Sequence, residues 1–298
     1  MKTAQAGLLL PVPPMGRYLC FELVSSAPAM LREALRRVTP LVDGEHAVLA
    51  VGPSLVAALG LEVPGLRELP ALIGPQVSVP STPVALWCWL RGTDRGVLIH
   101  RGRALAEALA PALQLMQVVD GFRHGRGRDL TGYEDGTENP KDADAERAAL
   151  IRQGAGLKGG SFVAVQQWLH DLDAFAAMPP AAQDAMIGRK RRGNAEIEDA
   201  PASAHVKRTA QESFTPEAFV LRRSMPWTAG EQAGLMFVAF GKSLDAFEAQ
   251  LTRMVGLEDG VTDALFAMSR PVTGSYLWCP PVRQTAQGPQ LDWRQLRV

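Results

Sequence analysis

Three groups of residues in this 298-residue chain have types and spacings suited to chemistry. Residues 132–140 read GYEDGTENP and bring Glu134, Asp135 and Glu138 within five positions. Gly132 and Gly136 permit positive φ and close backbone approach, so Asp135 is held between them with Glu134 adjacent. A calcium loop of the EF-hand type needs acids at alternate positions and a glycine at the sixth, and this spacing fails that test. The plainer alternative is a solvated acidic turn that caps a helix. His205 lies in SAHVKR, residues 203–208, and is one of five histidines with His46, His100, His124 and His170. No two of them stand four apart, which excludes a zinc-protease helix. A lone histidine is more often a surface or satisfied core residue than a ligand. A single-histidine site does suit haem, which needs one proximal imidazole backed by a carboxylate or carbonyl. Arg222 and Arg223 end an expected strand at 219–221, and consecutive strand residues face opposite sides, so only one can point inward. A buried arginine is costly without a carboxylate or a ligand anion, and Asp135 is the sort of partner that would rescue it.

These residues need a scaffold, and the chain is long enough for one large domain or two ordinary ones. Its 47% hydrophobic and 21% charged residues describe a globular protein. Thirty-one basic residues balance thirty-one acidic ones, so no global field draws the chain to nucleic acid or to an anionic membrane. Any charged ligand must be held by a local cluster. Cys20, Cys88 and Cys279 are odd in number and far apart, which excludes a disulfide scaffold or a CxxC zinc site and suits a reducing compartment. The longest apolar runs, 7–14 and 234–240, fall well short of the ~20 residues that span a bilayer. Leu8, Leu9 and Leu10 form too short a signal core and are interrupted by Pro11, Pro13 and Pro14, so a cytoplasmic protein is expected.

Strands are expected at 17–24, 45–51, 84–90, 113–119, 161–168, 218–222, 235–240 and 275–278. Helices are expected at 28–38, 103–112, 169–177, 181–187 and 243–254, with a helical turn at 263–268. On the first helix Met30, Leu31, Ala34, Leu35 and Val38 share a face, and Ser243 is the expected N-cap of the last long one. The stretch 63–83 holds five prolines and reads as loop or edge structure. The tail 283–298 reads as polar: an interface arm, a targeting extension or a disordered end. VALWCWLRG followed by a helix matches LMFVAFGKS followed by a helix, so the chain reads as two α+β halves, each a sheet with helices on one face. Between the halves, 120–145 is polar and glycine-rich, the kind of long connection that carries function. QGAGLKGGS at 153–161 is not a phosphate loop, because Gly160 stands where the lysine is required and the strand follows rather than precedes.

Taken together, GYEDGTENP, HVKR and LRRSMPW resemble the dye-decolourising peroxidases, in the compact bacterial subgroup without a Tat signal. Further echoes are QAGLLLP, FVAVQQWLHDL, IGRKR and DALFAMSRPVTGSYLWCP, so the similarity spans nearly the whole chain. The resemblance implies two ferredoxin-like modules, expected at 1–125 and 126–298, with haem b in the second. It implies that Asp135 of the Gly-x-x-Asp-Gly motif and a distal arginine flank the open face. By the same resemblance, in which the distal arginine follows the proximal histidine by about seventeen residues, 222 − 205 = 17 selects Arg222 over Arg223. It further implies that His205 ligates the iron, that Asp263 hydrogen-bonds its other ring nitrogen, and that Arg189 contacts a propionate. Thr137, Glu138 and Asn139 would line the haem edge. The activity implied is oxidation of dyes and phenols by hydrogen peroxide through a high-valent oxo-iron species. The alternative is a haem-binding or haem-iron-handling protein with incidental peroxidase activity. A homo-oligomer is expected from the same resemblance. Bulky dyes could not reach a buried haem, so oxidation through surface radicals is one reading, with Tyr133 the first candidate and Tyr18, Tyr276 and the six tryptophans as others; the alternative, favoured for most of them, is that these aromatics pack cores and rims.

Overall fold

A computed structural model describes residues 3–286 and 288–298. Eight strands make its frame: β1 (Met15–Leu23), β2 (Ala47–Val51), β3 (Leu86–Gly92) and β4 (Leu113–Phe122), then β5 (Ser161–His170), β6 (Met225–Ala229), β7 (Gln232–Gly241) and β8 (Ser275–Cys279). The first four pair in the order β2-β3-β1-β4 and the second four in the order β6-β7-β5-β8. Counted within each half, both orders are 2-3-1-4. That is the duplication of a ferredoxin-like unit, and every pairing is antiparallel.

The two sheets do not stay apart. β8 meets β2 at Trp278 and Val51, and β4 meets β6 at Gly121 and Trp227, so the eight strands close into a ring. Alternation along the strands then has two apolar destinations. Tyr18, Cys20, Val48, Ala50, Trp87, Trp89, Val163, Val165, Met236, Val238, Phe240, Leu277 and Cys279 fill the lumen. Their neighbours Leu19, Phe21, Leu49, Val51, Leu86, Cys88, Leu90, Phe162, Ala164, Tyr276 and Trp278 face outward into a helix-covered core. This is why VALWCWL is apolar without a break: both faces are covered.

Helices α1 (Pro28–Val38) and α2 (Arg95–Leu109) cover the outer face of the first half. α1 buries Leu31, Ala34, Leu35 and Val38, whereas Met30 lies at the stripe's margin and is exposed. α2 begins earlier than expected because Asp94 caps it, accepting the Val97 N–H at 2.8 Å. In the second half the outer face carries α3 (Pro180–Ile187), the single turn α4 (His205–Arg208) and α5 (Asp245–Met254). Ser243 does not cap α5; the N-cap position is Leu244, with no side-chain cap.

Three other expectations change. β6 lies beyond the expected strand at 218–222, of which only Leu221–Arg222 pairs. Pro226 obscures β6 in the sequence, and it is tolerated because β6 is bonded along its length only to β7. The polar-looking tail forms a hairpin of Val282–Thr285 with Gly288–Leu291 and buries Leu291, Trp293 and Leu296 in the first half's core. Trp293 anchors it by donating its indole N–H to Thr39 Oγ1 at 2.8 Å. Finally, Tyr133, the first candidate for a surface radical, is buried with the other two tyrosines and all six tryptophans, which fits the packing alternative. Large rings fill the lumen and cores here; Tyr18, for instance, stacks between Trp87 and Trp89 with centroids 6.1 Å from each.

Candidate active site

The second half's sheet, α4 and α5 leave an open cleft. β7 contributes Leu235 and Phe237, α5 contributes Phe247, Leu251 and Met254, and Val206, Leu265 and Met268 complete an apolar lining. Polar groups enter it at a few defined points.

His205 opens α4 and lines the cleft. Its Nδ1 lies 2.8 Å from Asp263 Oδ2, and the Asp263 side chain is fully buried. Oδ1 of the same carboxylate accepts the Leu265 N–H at 2.8 Å, so the acid is fixed at both oxygens. Nδ1–H of His205 therefore donates to Asp263 and the lone pair lies on Nε2, the arrangement that leaves an imidazole free to ligate. Nε2 makes no hydrogen bond to any described residue. A four-residue helix cannot hold such a ring by itself. Arg208, one turn on, forks onto Asp259 with both bonds at 2.7 Å and also donates to the Arg253 carbonyl at 2.7 Å. Gly188, in a left-handed conformation at φ +86°, lets the end of α3 approach α4; a Cβ there would lie 2.4 Å from Val206.

Asp135 and Arg222 meet in the same cleft, with Asp135 Oδ1 3.7 Å from Arg222 Nη1 and each side chain about one-fifth exposed. Arg223 turns the other way and bonds the carbonyls of Arg222 and Leu9, as strand alternation requires. Thr137 and Glu138 line the cleft, and Thr137 Oγ1 accepts from Asn194 at 2.8 Å. Asn139 does not line it; its amide binds the backbone of Arg222. Arg189 does reach the lining, but its guanidinium is already bound by Glu138, by Glu196 at 3.1 Å and by the Asn194 carbonyl. Tyr133 is buried, donates to Asp184 at 2.6 Å, and has its phenol pushed above the usual range by burial and then by that carboxylate.

Several lining residues stand outside the three groups singled out for chemistry. Gln166, Trp168 and His170 alternate along β5 and face the cleft, a period-2 pattern visible in SFVAVQQWLH. Asp129 and Ser269 come from elements distant in sequence and could be placed only by the fold. Among the described residues no cluster of three or more histidines, cysteines or acids could hold a bare metal ion. All three thiols are buried, and burial raises Cys20 to about 12.

An apolar slot, an imidazole backed by a buried acid, and a carboxylate–guanidinium pair in the same cleft are features that fit a porphyrin. A family model described as "Dyp-type peroxidase, C-terminal" matches residues 126–284. The dye-decolorizing peroxidase of Mycolicibacterium paratuberculosis is 28% identical over 293 residues, covering 92% of this chain and 83% of that protein. Among solved structures, the dye-decolorizing protein from V. cholerae superposes with TM-score 0.82 at 28% identity, covering 94% of this chain and 96% of that one. A DypB variant of Rhodococcus jostii RHA1 in complex with haem superposes with TM-score 0.83 at 28% identity, covering 92% and 94%. The chain belongs to the Dyp-type peroxidase family. It is accordingly a peroxidase enzyme whose cofactor is haem b.

Proposed function

We propose that this peroxidase uses hydrogen peroxide to oxidise small aromatic donors such as phenols and dyes, with His205 as the iron ligand and Asp135 and Arg222 as the peroxide-handling pair. The observation that carries the reading is the shared cleft: an imidazole with its lone pair freed by Asp263, and an Asp135–Arg222 pair 3.7 Å apart. Bound haem supplies the redox chemistry; the chain supplies position, charge and proton transfer.

Asp263 orients the His205 ring and makes it a stronger electron donor by sharing its Nδ1 proton. Asp135 is the group able to take a proton from one peroxide oxygen and return it to the other. Arg222 is always cationic and stabilises negative charge developing on the departing oxygen. The apolar walls exclude bulk water, which strengthens both effects. Arg189 would reach a haem propionate only by exchanging it for the Glu138 carboxylate it now holds. Because every tyrosine and tryptophan is buried, donors small enough to enter the cleft are the favoured substrates.

The ultraviolet–visible spectrum of the haem-loaded protein tests the ligand: the ferric Soret band should be lost or shifted in His205→Ala. Rapid mixing with peroxide tests the pair. Asp135→Asn and Arg222→Leu should each slow the reaction by about 10²-fold or more while the resting Soret band persists. Rates equal to wild type in both variants would leave a haem-handling protein instead.

A further inference from the structure

The cleft that His205 lines also holds a second histidine–acid pair. His170 Nε2 lies 3.1 Å from Asp129 Oδ2, and His170 Nδ1 lies 2.6 Å from Ser269 Oγ. All three residues line the cleft; Ser269 is 3% exposed and the His170 side chain 5%. Ser269 is the direct strand partner of His170, so backbone pairing sets their contact.

The direction of the proton chain follows from what each group can do. Asp129 Oδ1 already accepts the N–H and the hydroxyl of Thr131, at 2.8 and 2.6 Å. Burial alone would raise this acid, but the bonds from His170 and Thr131 prevail and hold it below the usual carboxylate range. An ionised carboxylate only accepts, so Nε2 of His170 carries a proton. With that proton on Nε2, the Nδ1 of an uncharged ring accepts the Ser269 hydroxyl 2.6 Å away. The Ser269 oxygen keeps its own lone pairs for a proton arriving from the cleft.

The trio makes no hydrogen bond to the peroxide-handling pair among the described residues, although paired segments carry the two: Arg128 bridges Glu134, and Asp135 donates its N–H to the Gly127 carbonyl at 3.0 Å. On the same face of β5 as His170 lie Trp168 and Gln166; Gln166 bonds the Trp168 indole at 3.2 Å, while its own Nε2 is buried without a partner. A flat ring surface and an unused amide donor thus adjoin a proton acceptor.

We propose that Ser269, His170 and Asp129 form a relay that deprotonates hydroxyl-bearing aromatic donors as they are oxidised in the cleft. The inference rests on the peroxidase reading above, which supplies the oxidant. One electron leaves the donor for the oxidised cofactor. The donor O–H bond breaks, its proton passes to Ser269 Oγ, and the original Ser269 proton moves to His170 Nδ1. The products are a neutral aryloxyl radical and an imidazolium beside the Asp129 carboxylate. Ser269 is the catalytic residue here; His170 and Asp129 act through it.

Steady-state turnover of the haem-loaded enzyme with two donors tests this. Guaiacol gives up an electron and a proton, whereas ferrocyanide gives up an electron alone. In Ser269→Ala, and separately in His170→Gln, the ratio of guaiacol to ferrocyanide kcat should fall about tenfold or more. The Kd of guaiacol for the resting ferric enzyme, read from its difference spectrum, should stay within about threefold of wild type, placing the loss in the chemical step. An unchanged ratio would reduce the trio to packing and overturn the relay. A Kd raised as much as the ratio falls would also overturn it, because Ser269 would then only bind. A wild-type protein that oxidises neither donor would instead overturn the peroxidase reading, and the relay with it.

Discussion

The side chain of Asn139 grips Arg222 by both backbone groups: Oδ1 accepts the Arg222 N–H at 2.7 Å and Nδ2 donates to the Arg222 carbonyl at 3.1 Å. An amide used this way replaces a neighbouring strand at the point where Leu221–Arg222 runs out of partners. Asn139 also donates its own N–H to Gly136 at 3.1 Å, so the loop carrying Asp135 and the strand carrying Arg222 are tied by one residue. Gly136, at φ +74°, makes room, since a Cβ there would lie 2.6 Å from Asn139 Nδ2. Asn139→Ala should therefore slow the reaction with peroxide by about tenfold, in the direction of Arg222→Leu, while haem remains bound. Asn139→Asp should be worse, because a carboxylate would face the Arg222 carbonyl. Stopped-flow mixing with peroxide measures both.

Asp263→Asn keeps the shape beside His205 but removes the charge that holds the Nδ1 proton. The expected result is haem binding weakened about 10–100-fold and a higher iron reduction potential. Haem transfer to a scavenging protein and a redox titration measure these separately. A rise in potential without haem loss would place the effect on the ligand's electronics alone.

Gly188→Ala should be disruptive although it adds one methyl group. The residue has φ +86°, and its new Cβ would meet Val206 at 2.4 Å, next to His205. Strain of this kind costs about 1–3 kcal/mol. A fall in Tm together with a shifted Soret band is expected; a lower Tm with an unaltered spectrum would show that α4 moves as a unit.

The strands, the duplication and the cleft's principal residues were legible because each has a local signature. The apolar run VALWCWL, the paired glycines around Asp135 and the 17-residue spacing of His205 and Arg222 can be read along the chain. What was not legible depends on closure. That the two sheets join is decided by single contacts, Trp278 with Val51 and Gly121 with Trp227. Asn139 reads as a lining residue from its motif, yet its amide is claimed by a strand end 83 positions away. Trp293 and Leu296 look stranded in a polar tail until the surface that receives them is known. Arg189 matches a motif by type, but it is held by Glu196 in its own loop and by Glu138 from 51 positions away.

Acid should release the haem by a defined route through Asp259. Its two bonds from Arg208 hold the carboxyl down to about 2, below the usual value of 3.8. A folded-state pKa below the ordinary one means that the contribution is complete above about pH 4 and is lost as pH falls toward 2. Asp129, held low in the cleft wall, shifts stability in the same direction. Protonating Asp259 leaves Arg208, which is 4% exposed, without its anion, and Arg208 is the anchor of the single turn that presents His205. Asp259→Asn imposes that loss at every pH. Its Tm should lie below wild type at neutral pH, and the gap should close as both are acidified from about pH 4 to pH 2. Haem retention, followed by the Soret band, should show the same convergence. A gap of constant size across that range would show that the ion pair is not what holds α4 in place.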